Sequence, residues 1–206
     1  HHDMHKHKKE KNDYEVVWKD DFKGKKLNTN YWGYELGSIR GVEQQHYVDD
    51  KENVYLKDGN LVLEVTKRED TYKNPRGERE IIYNSGSVRT HGLVEFMYGK
   101  IEMRAKLPWG QGVFPAFWTL GADFTLDGRI ADEQGDPWPL SGEVDIMELI
   151  GDGEKNHEKN RTVYQTLHYS GEKWVDDGLY AGSGTPYTID EVFADDYHTF
   201  SIDWKP

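Results

Sequence analysis

The sequence predicts an all-β chain, folded as a sandwich or a barrel. Apolar residues fall in short segments rich in β-branched and aromatic side chains, and turn-forming residues separate them at near-regular spacing. No stretch sustains a 3.6-residue periodicity with caps at both ends, which argues against helices. In chain order the first expected strand is Tyr14–Trp18, where aromatic residues flank Val16 and Val17. Asn53–Leu56 and Asn60–Thr66 follow, on either side of the turn signal Asp58-Gly59-Asn60. Ser85–Thr90 and Leu93–Met97 come next, and Tyr98-Gly99-Lys100 turns the chain into Lys100–Leu107. Pro108-Trp109-Gly110 then leads to Val113–Leu120, and Glu143–Ile150 and Thr162–Tyr169 complete the set.

Two segments read as long loops. Residues 68–80 are charged and contain Asn74-Pro75-Arg76-Gly77. Residues 121–141 contain Asp123, Asp127, Asp132, Glu133, Asp136, Pro137, Trp138 and Pro139 and run directly into an acidic strand. A loop of that length in a compact domain is usually functional or disordered, and this one is well placed to wall one side of a cleft. Residues 1–12, HHDMHKHKKEKN, have the composition of a solvated, disordered tail, leaving 13–206 as one domain.

Composition narrows the function. The 206 residues carry a net charge of −12, from 26 Lys and Arg against 38 Asp and Glu, which disfavours nucleic acid or an anionic membrane as partner. Seven Trp and 13 Tyr supply flat apolar faces with polar tips, the surfaces on which sugar rings stack. Cysteine is absent, so disulfides say nothing of compartment. No apolar run approaches the roughly 20 residues of a membrane span, and no signal peptide is present in the sequence.

The most informative segment is Gly142-Glu143-Val144-Asp145-Ile146-Met147-Glu148-Leu149-Ile150-Gly151. Its apolar filling reads as a buried strand, where acids are costly unless used or paired. Strand alternation puts Glu143 and Asp145 on one face and would turn Glu148 away. One extra residue near Ile146 and Met147, a β-bulge, returns Glu148 to the side of the other two. The competing readings are a solvated acidic edge, which the interleaved Val, Ile, Met and Leu oppose, and a metal site. For metal the sequence offers His168 alone, with no His-x-x-x-His or Cys pair.

Three acids along one face suit glycoside hydrolysis with retention. That reaction uses two carboxyl groups about 5–5.5 Å apart, one as nucleophile and one as acid then base. A third carboxylate between them can hold a proton, orient the nucleophile and keep the acid protonated at neutral pH.

Several separated segments make the chain resemble glycoside hydrolase family 16, in its laminarinase-like branch. Glu143-Val144-Asp145-Ile146-Met147-Glu148 fits the bulged Glu-x-Asp-x-x-Glu motif. Leu107-Pro108-Trp109-Gly110-Gln111-Gly112-Val113-Phe114-Pro115-Ala116-Phe117-Trp118 is similar to a second family strand, and Trp18-Lys19-Asp20-Asp21-Phe22 to its opening strand. The resemblance implies a jelly-roll β-sandwich of two antiparallel sheets with the cleft across the concave face. It implies Glu143 as nucleophile, Asp145 as assisting carboxylate and Glu148 as general acid/base. Trp118 and Trp138 match tryptophans that stack on sugar, and Phe114 stands where another tryptophan is common. His168 matches a histidine that lines the cleft, and its alternative is a satisfied core position. Arg89 matches a position that contacts sugar hydroxyls, with a surface ion pair as its alternative. Glu43 and Gln45 resemble a Glu-x-Gln segment, although Gly41 and Val42 replace the usual asparagines. No cofactor is required, and Asp21 is a candidate ligand of the structural calcium that relatives often carry.

The expected function is a secreted or cell-surface endo-β-glucanase acting on the β-1,3 linkages of a neutral, laminarin-like or mixed-linkage polysaccharide. The alternatives are an agarase- or porphyranase-type galactan hydrolase on the same fold and a non-catalytic β-glucan-binding protein. Relatives continue for several strands beyond Tyr197–Trp204. The expectation is therefore a clipped or shortened form, a separate C-terminal fragment, or self-association through exposed sheet edges.

Overall fold

A computed structural model describes residues 14–122, 142–170 and 180–206; the expected tail and nearly all of the 121–141 segment lie outside the described residues. The chain forms two compact units, 1–96 and 97–206. Among the described residues every regular element is a strand apart from one 3-10 turn. The all-β expectation holds.

In the first unit, β1 (Gly33–Tyr34) pairs antiparallel with β7 (Val88–Arg89), and β3 (Val54–Lys57) with β4 (Asn60–Leu63). Asp58 and Gly59 join β3 to β4 with φ of 54° and 73°, the left-handed pair that a tight hairpin matched to strand twist requires. β2 (Gln45–Tyr47), β6 (Glu80–Ser85) and β5 (Thr66–Lys73) form a sheet in that order. There β2 runs parallel to β6, so the expectation of purely antiparallel sheets is corrected at this pair.

Three expected elements also differ. Much of the charged 68–80 segment is strand: β5 extends to Lys73 and leaves only a short turn before β6. Its side chains are mostly exposed, with Arg68 and Tyr72 turned inward. Arg68 lies 5.2 Å from the Tyr72 ring, and its Nη1 donates to Asn84 Oδ1 at 2.6 Å. Tyr14–Trp18 is not a strand, because its aromatic end joins a side-chain cluster rather than a ladder. The Trp18 ring sits 5.3 Å from Tyr31, 5.8 Å from Trp32 and 5.6 Å from Phe96. Leu93–Met97 is not a strand either: it follows a turn in which Leu93 N donates to Thr90 O, and its Phe96 ring lies against Trp18.

The second unit contains β8 (Gly99–Ala105), β9 (Ala116–Leu120), β10 (Glu143–Glu148), the 3-10 turn (Glu158–Arg161), β11 (Thr162–Ser170), β12 (Tyr180–Thr188) and β13 (His198–Trp204). An antiparallel sheet has the order β12-β11-β10-β9, and β13 pairs with β8. Between them lies a core of Leu107, Ile146, Met147, Leu149, Val163, Phe193 and Phe200, with Phe117 and Val144 packed against it. Burying these side chains against a second layer is the main stabilising term of the unit, at roughly 25 cal/mol per Å² of apolar surface.

The chain before β9 is fastened to the chain after β10. Leu149 N donates to Pro115 O at 3.1 Å, and Gly151 N to Val113 O at 3.0 Å. A methyl group on Gly151 would strike the Gly110 carbonyl oxygen and Val113 Cγ2. Backbone cannot yield as a side chain tip can. Gly151→Ala is therefore expected to destabilise the protein by about 1–3 kcal/mol, read as a lowered Tm, and to displace the turn that carries Phe114.

Candidate active site

β10 is the central element. Its partners on β9 are Leu120 for Glu143, Trp118 for Asp145 and Ala116 for Glu148; on β11 they are His168, Thr166 and Tyr164. Both ladders slip by one residue between Asp145 and Glu148, so a bulge lies at Ile146 and Met147. The cause is visible in the packing. Ile146 and Met147 are both buried in the core, and the extra residue lets both go inward while Glu148 emerges beside the other acids.

Cross-strand partners share a face, so Trp118 stands on the acid face beside Asp145, while Phe117 packs into the core. His168 comes from β11. Its Nε2 lies 2.6 Å from Asp145 Oδ2 and 3.5 Å from Glu143 Oε2. Asp145 is 2 % exposed, at the centre of the row, and its carboxyl meets those of both Glu143 and Glu148.

Burial first, then the neighbouring Glu143 and Glu148 carboxylates, push the Asp145 carboxyl well above the usual carboxylate range. Glu148 is also raised, by burial and then by Glu143, against opposing contributions from the Asp145 hydrogen bond and from His168. Three acids in contact cannot all be ionised in a dry site, so protons are shared among them. The arrangement can keep one carboxyl protonated near neutral pH while a neighbour is ionised, which general acid and nucleophile require together.

Among the described residues, Glu143, Asp145 and His168 are the group of three whose potential ligand atoms lie within 4.8 Å of one another. The short His168–Asp145 hydrogen bond already engages those atoms, and a proton-sharing cluster accounts for the arrangement. Asp21 belongs to no such group; its Oδ2 lies 3.2 Å from Lys19 Nζ at the surface.

Glu43 and Arg89 belong to the first unit. Glu43 takes Arg40 Nη1 at 3.1 Å and the Tyr47 hydroxyl at 3.3 Å. Arg40 Nη2 reaches the buried Glu35 at 3.2 Å. Burial, then Glu43, pushes the Tyr47 phenol up to about 12. Arg89 ends the β7 pairing opposite Gly33. Phe114, 60 % exposed, precedes β9, and Trp138 lies outside the described residues.

Two neighbours were not anticipated. Thr166 and Tyr164 stand opposite Asp145 and Glu148, and with His168 taken at the cleft, strand alternation along β11 would have named both. Gly184, opposite Thr166 on β12, leaves room for it: a Cβ there would sit 2.9 Å from Thr166 Oγ1.

The chain is 30 % identical to glucan endo-1,3-beta-glucosidase A1 of Niallia circulans over 92 % of its own length and 27 % of that protein's. It shares 34 % identity and a TM-score of 0.69 with the laminarinase catalytic domain of Thermotoga maritima, over 93 % of this chain and 70 % of that one. A structure from work on endo-acting O-glycanases, which gut bacteria express to initiate mucin breakdown, gives 32 % identity and a TM-score of 0.75 over 92 % and 64 %. The all-β jelly-roll class expected from sequence is the one these similarities support. The model of glycosyl hydrolases family 16 matches residues 41–206, and the chain belongs to that family.

Proposed function

We propose that the chain is a retaining endo-β-glucanase that cleaves β-1,3 linkages in laminarin-like or mixed-linkage glucans. The observation that carries this is the row Glu143–Asp145–Glu148 on one face of β10, with Asp145 buried between the two glutamates and in contact with both. Similarity to a 1,3-β-glucosidase and to a laminarinase domain supports the choice of polymer.

In this mechanism Glu143 attacks the anomeric carbon as a carboxylate while Glu148 gives its proton to the departing glycosidic oxygen. Water then cleaves the glycosyl ester, with Glu148 taking the water's proton and Glu143 leaving as carboxylate. Asp145, kept protonated by burial, hydrogen-bonds the neighbouring glutamates and limits the charge in the row. Trp118 offers a ring face beside the reacting bond. The chemistry uses no cofactor. The polymer cannot enter a cell, so the enzyme acts outside it. Among the described residues no helix is long and apolar enough to cross a membrane.

A second reading keeps the chemistry and changes the sugar, since the mucin-related structure matches this chain with the higher TM-score. Incubation with laminarin, lichenan, agarose and mucin glycans, with products read by mass spectrometry, decides between them. Glucose oligomers from laminarin are expected. Products from agarose or mucin alone would replace the glucan assignment by a galactoside one, and laminarin binding without products would make the chain a binder.

A further inference from the structure

The strand registers lay out the floor around the acid row level by level. Level with Glu143 stand Leu120 on β9, His168 on β11 and Gly182 on β12. Level with Asp145 stand Trp118, Thr166 and Gly184, and level with Glu148 stand Ala116, Tyr164 and Pro186. Cross-strand partners share a face, so Tyr164 and Pro186 stand on the side of the acids. Their neighbours along the strands agree. Val163 packs in the core, and Gln165 Nε2 donates to Ser201 O at 3.2 Å. Tyr187 lines the same cavity as Val163 and Gln165, so the residues between and beside these three turn the other way.

Glu148 gives its proton to the departing oxygen, so the sugar that leaves on that oxygen lies within reach of the side chains flanking Glu148. On β9 that flank is Ala116, a single methyl group. On β11 it is Tyr164, an aromatic ring with 37 % of its surface exposed, and beyond it on β12 stands the exposed Pro186. Among the described residues β12 is the last strand of its sheet, a position where proline is tolerated and its ring adds an apolar face. Neither ring fills the core. At the next levels Gly184 and Gly182 leave the β12 backbone bare, so a sugar resting on the two rings meets no side chain there.

Resting on the glucanase reading, we propose that Tyr164, with Pro186 beside it, is the platform for the sugar on the leaving side of the scissile bond. The flat ring takes the apolar C–H face of the first glucose unit of the leaving fragment, and the phenol at its tip reaches that unit's hydroxyls. This contact holds the departing oxygen at Glu148. The same platform receives a sugar in the reverse sense once the glycosyl ester has formed. An acceptor hydroxyl then attacks the anomeric carbon, its proton passes to Glu148, and Glu143 leaves as a carboxylate. Transfer to a sugar and hydrolysis by water share every step except the binding of that sugar.

The test supplies β-laminaribiosyl fluoride, whose leaving group carries no sugar, together with laminaribiose as acceptor. Mass spectrometry reads the ratio of transferred tetrasaccharide to hydrolysed disaccharide for the wild type, Tyr164→Ala, Tyr164→Phe and Pro186→Ala. Both products need Glu148 as base, so a residue that merely held Glu148 in place would slow both and leave the ratio alone. Tyr164→Ala is expected to lower the ratio by about tenfold at subsaturating acceptor. Tyr164→Phe keeps the ring and should lose roughly threefold at most, the share of one exposed hydroxyl. Pro186→Ala should move the ratio the same way by about twofold, and it carries the test if Tyr164→Ala does not fold. A ratio unchanged in the variants, or no transfer product from the wild type at any acceptor concentration, would overturn the assignment. A wild type that neither releases fluoride nor cleaves laminarin would instead fail the glucanase reading, and the assignment would fall with it.

Discussion

Glu143→Ala is expected to lower laminarin turnover by about 10⁴-fold or more, a barrier increase of about 5.5 kcal/mol, and to regain part of it when azide or formate is added. The truncated side chain leaves a space beside the anomeric carbon where a small anion fits, and attack from that side inverts the centre. The azide product should therefore be the α-glycosyl azide. Glu148→Ala should behave differently. Loss of the general acid costs about 10²–10⁴-fold on a sugar leaving group and far less on an activated aryl leaving group that departs without a proton. Azide now intercepts the glycosyl ester on Glu143, and the product is the β-glycosyl azide. Proton NMR of the anomeric products separates the two cases. An α-azide from the Glu148 variant, or a β-azide from the Glu143 variant, would exchange the two roles.

That these acids are separable in function depends on the bulge, and the bulge was legible in the sequence. Glu143 and Asp145 are two residues apart and share a face by alternation alone, whereas Glu148 is three from Asp145 and needs one inserted residue. Ile146 and Met147, adjacent and both apolar, are the pair that can go inward together, and in the structure both are buried. The Phe117–Trp118 pair was legible for the same reason: neighbours on a strand face opposite ways, and Phe117 is the one against the core.

What the sequence concealed is of another kind. β5 has no apolar face to reveal its period, because an edge strand whose half-buried side is carried by Thr66, Arg68 and Tyr72 can be charged along the rest and still complete a ladder. β2 is three residues long and joins β6 in parallel, a pairing fixed by contacts nearly forty residues away rather than by local pattern. Tyr14–Trp18 carried a strand's composition, yet Trp18 gains more from three aromatic neighbours than from a ladder. The hydrogen bond between His168 and Asp145 was hidden for a related reason. The family pattern placed the histidine at the cleft, but its partner is set by the β10–β11 register, which no local signal encodes.

Asp145→Asn is expected to make the protein more stable and the enzyme much slower, with the gain in stability growing as pH rises. The wild-type carboxyl has a folded-state pKa raised above its unfolded value by burial and by Glu143 and Glu148. For such a group the folded state binds the proton more tightly. Stability is fully present below the unfolded value near pH 4, and it is lost as pH climbs toward the raised folded value. Each pH unit in that window removes about 1.4 kcal/mol from the wild type through this one group. An asparagine has nearly the same shape, carries no charge and binds no proton in this range, so the loss disappears. Glu148, also raised, continues to contribute its own slope in the variant. Melting curves from pH 4 to 8 should therefore diverge, with Asp145→Asn ahead by an amount that increases with pH. Activity should fall by about 10²-fold, because the amide no longer shares a proton between nucleophile and acid. A variant less stable than the wild type by a constant margin at every pH would mean that Asp145 is ionised in the folded protein. The row would then hold its protons on the glutamates alone.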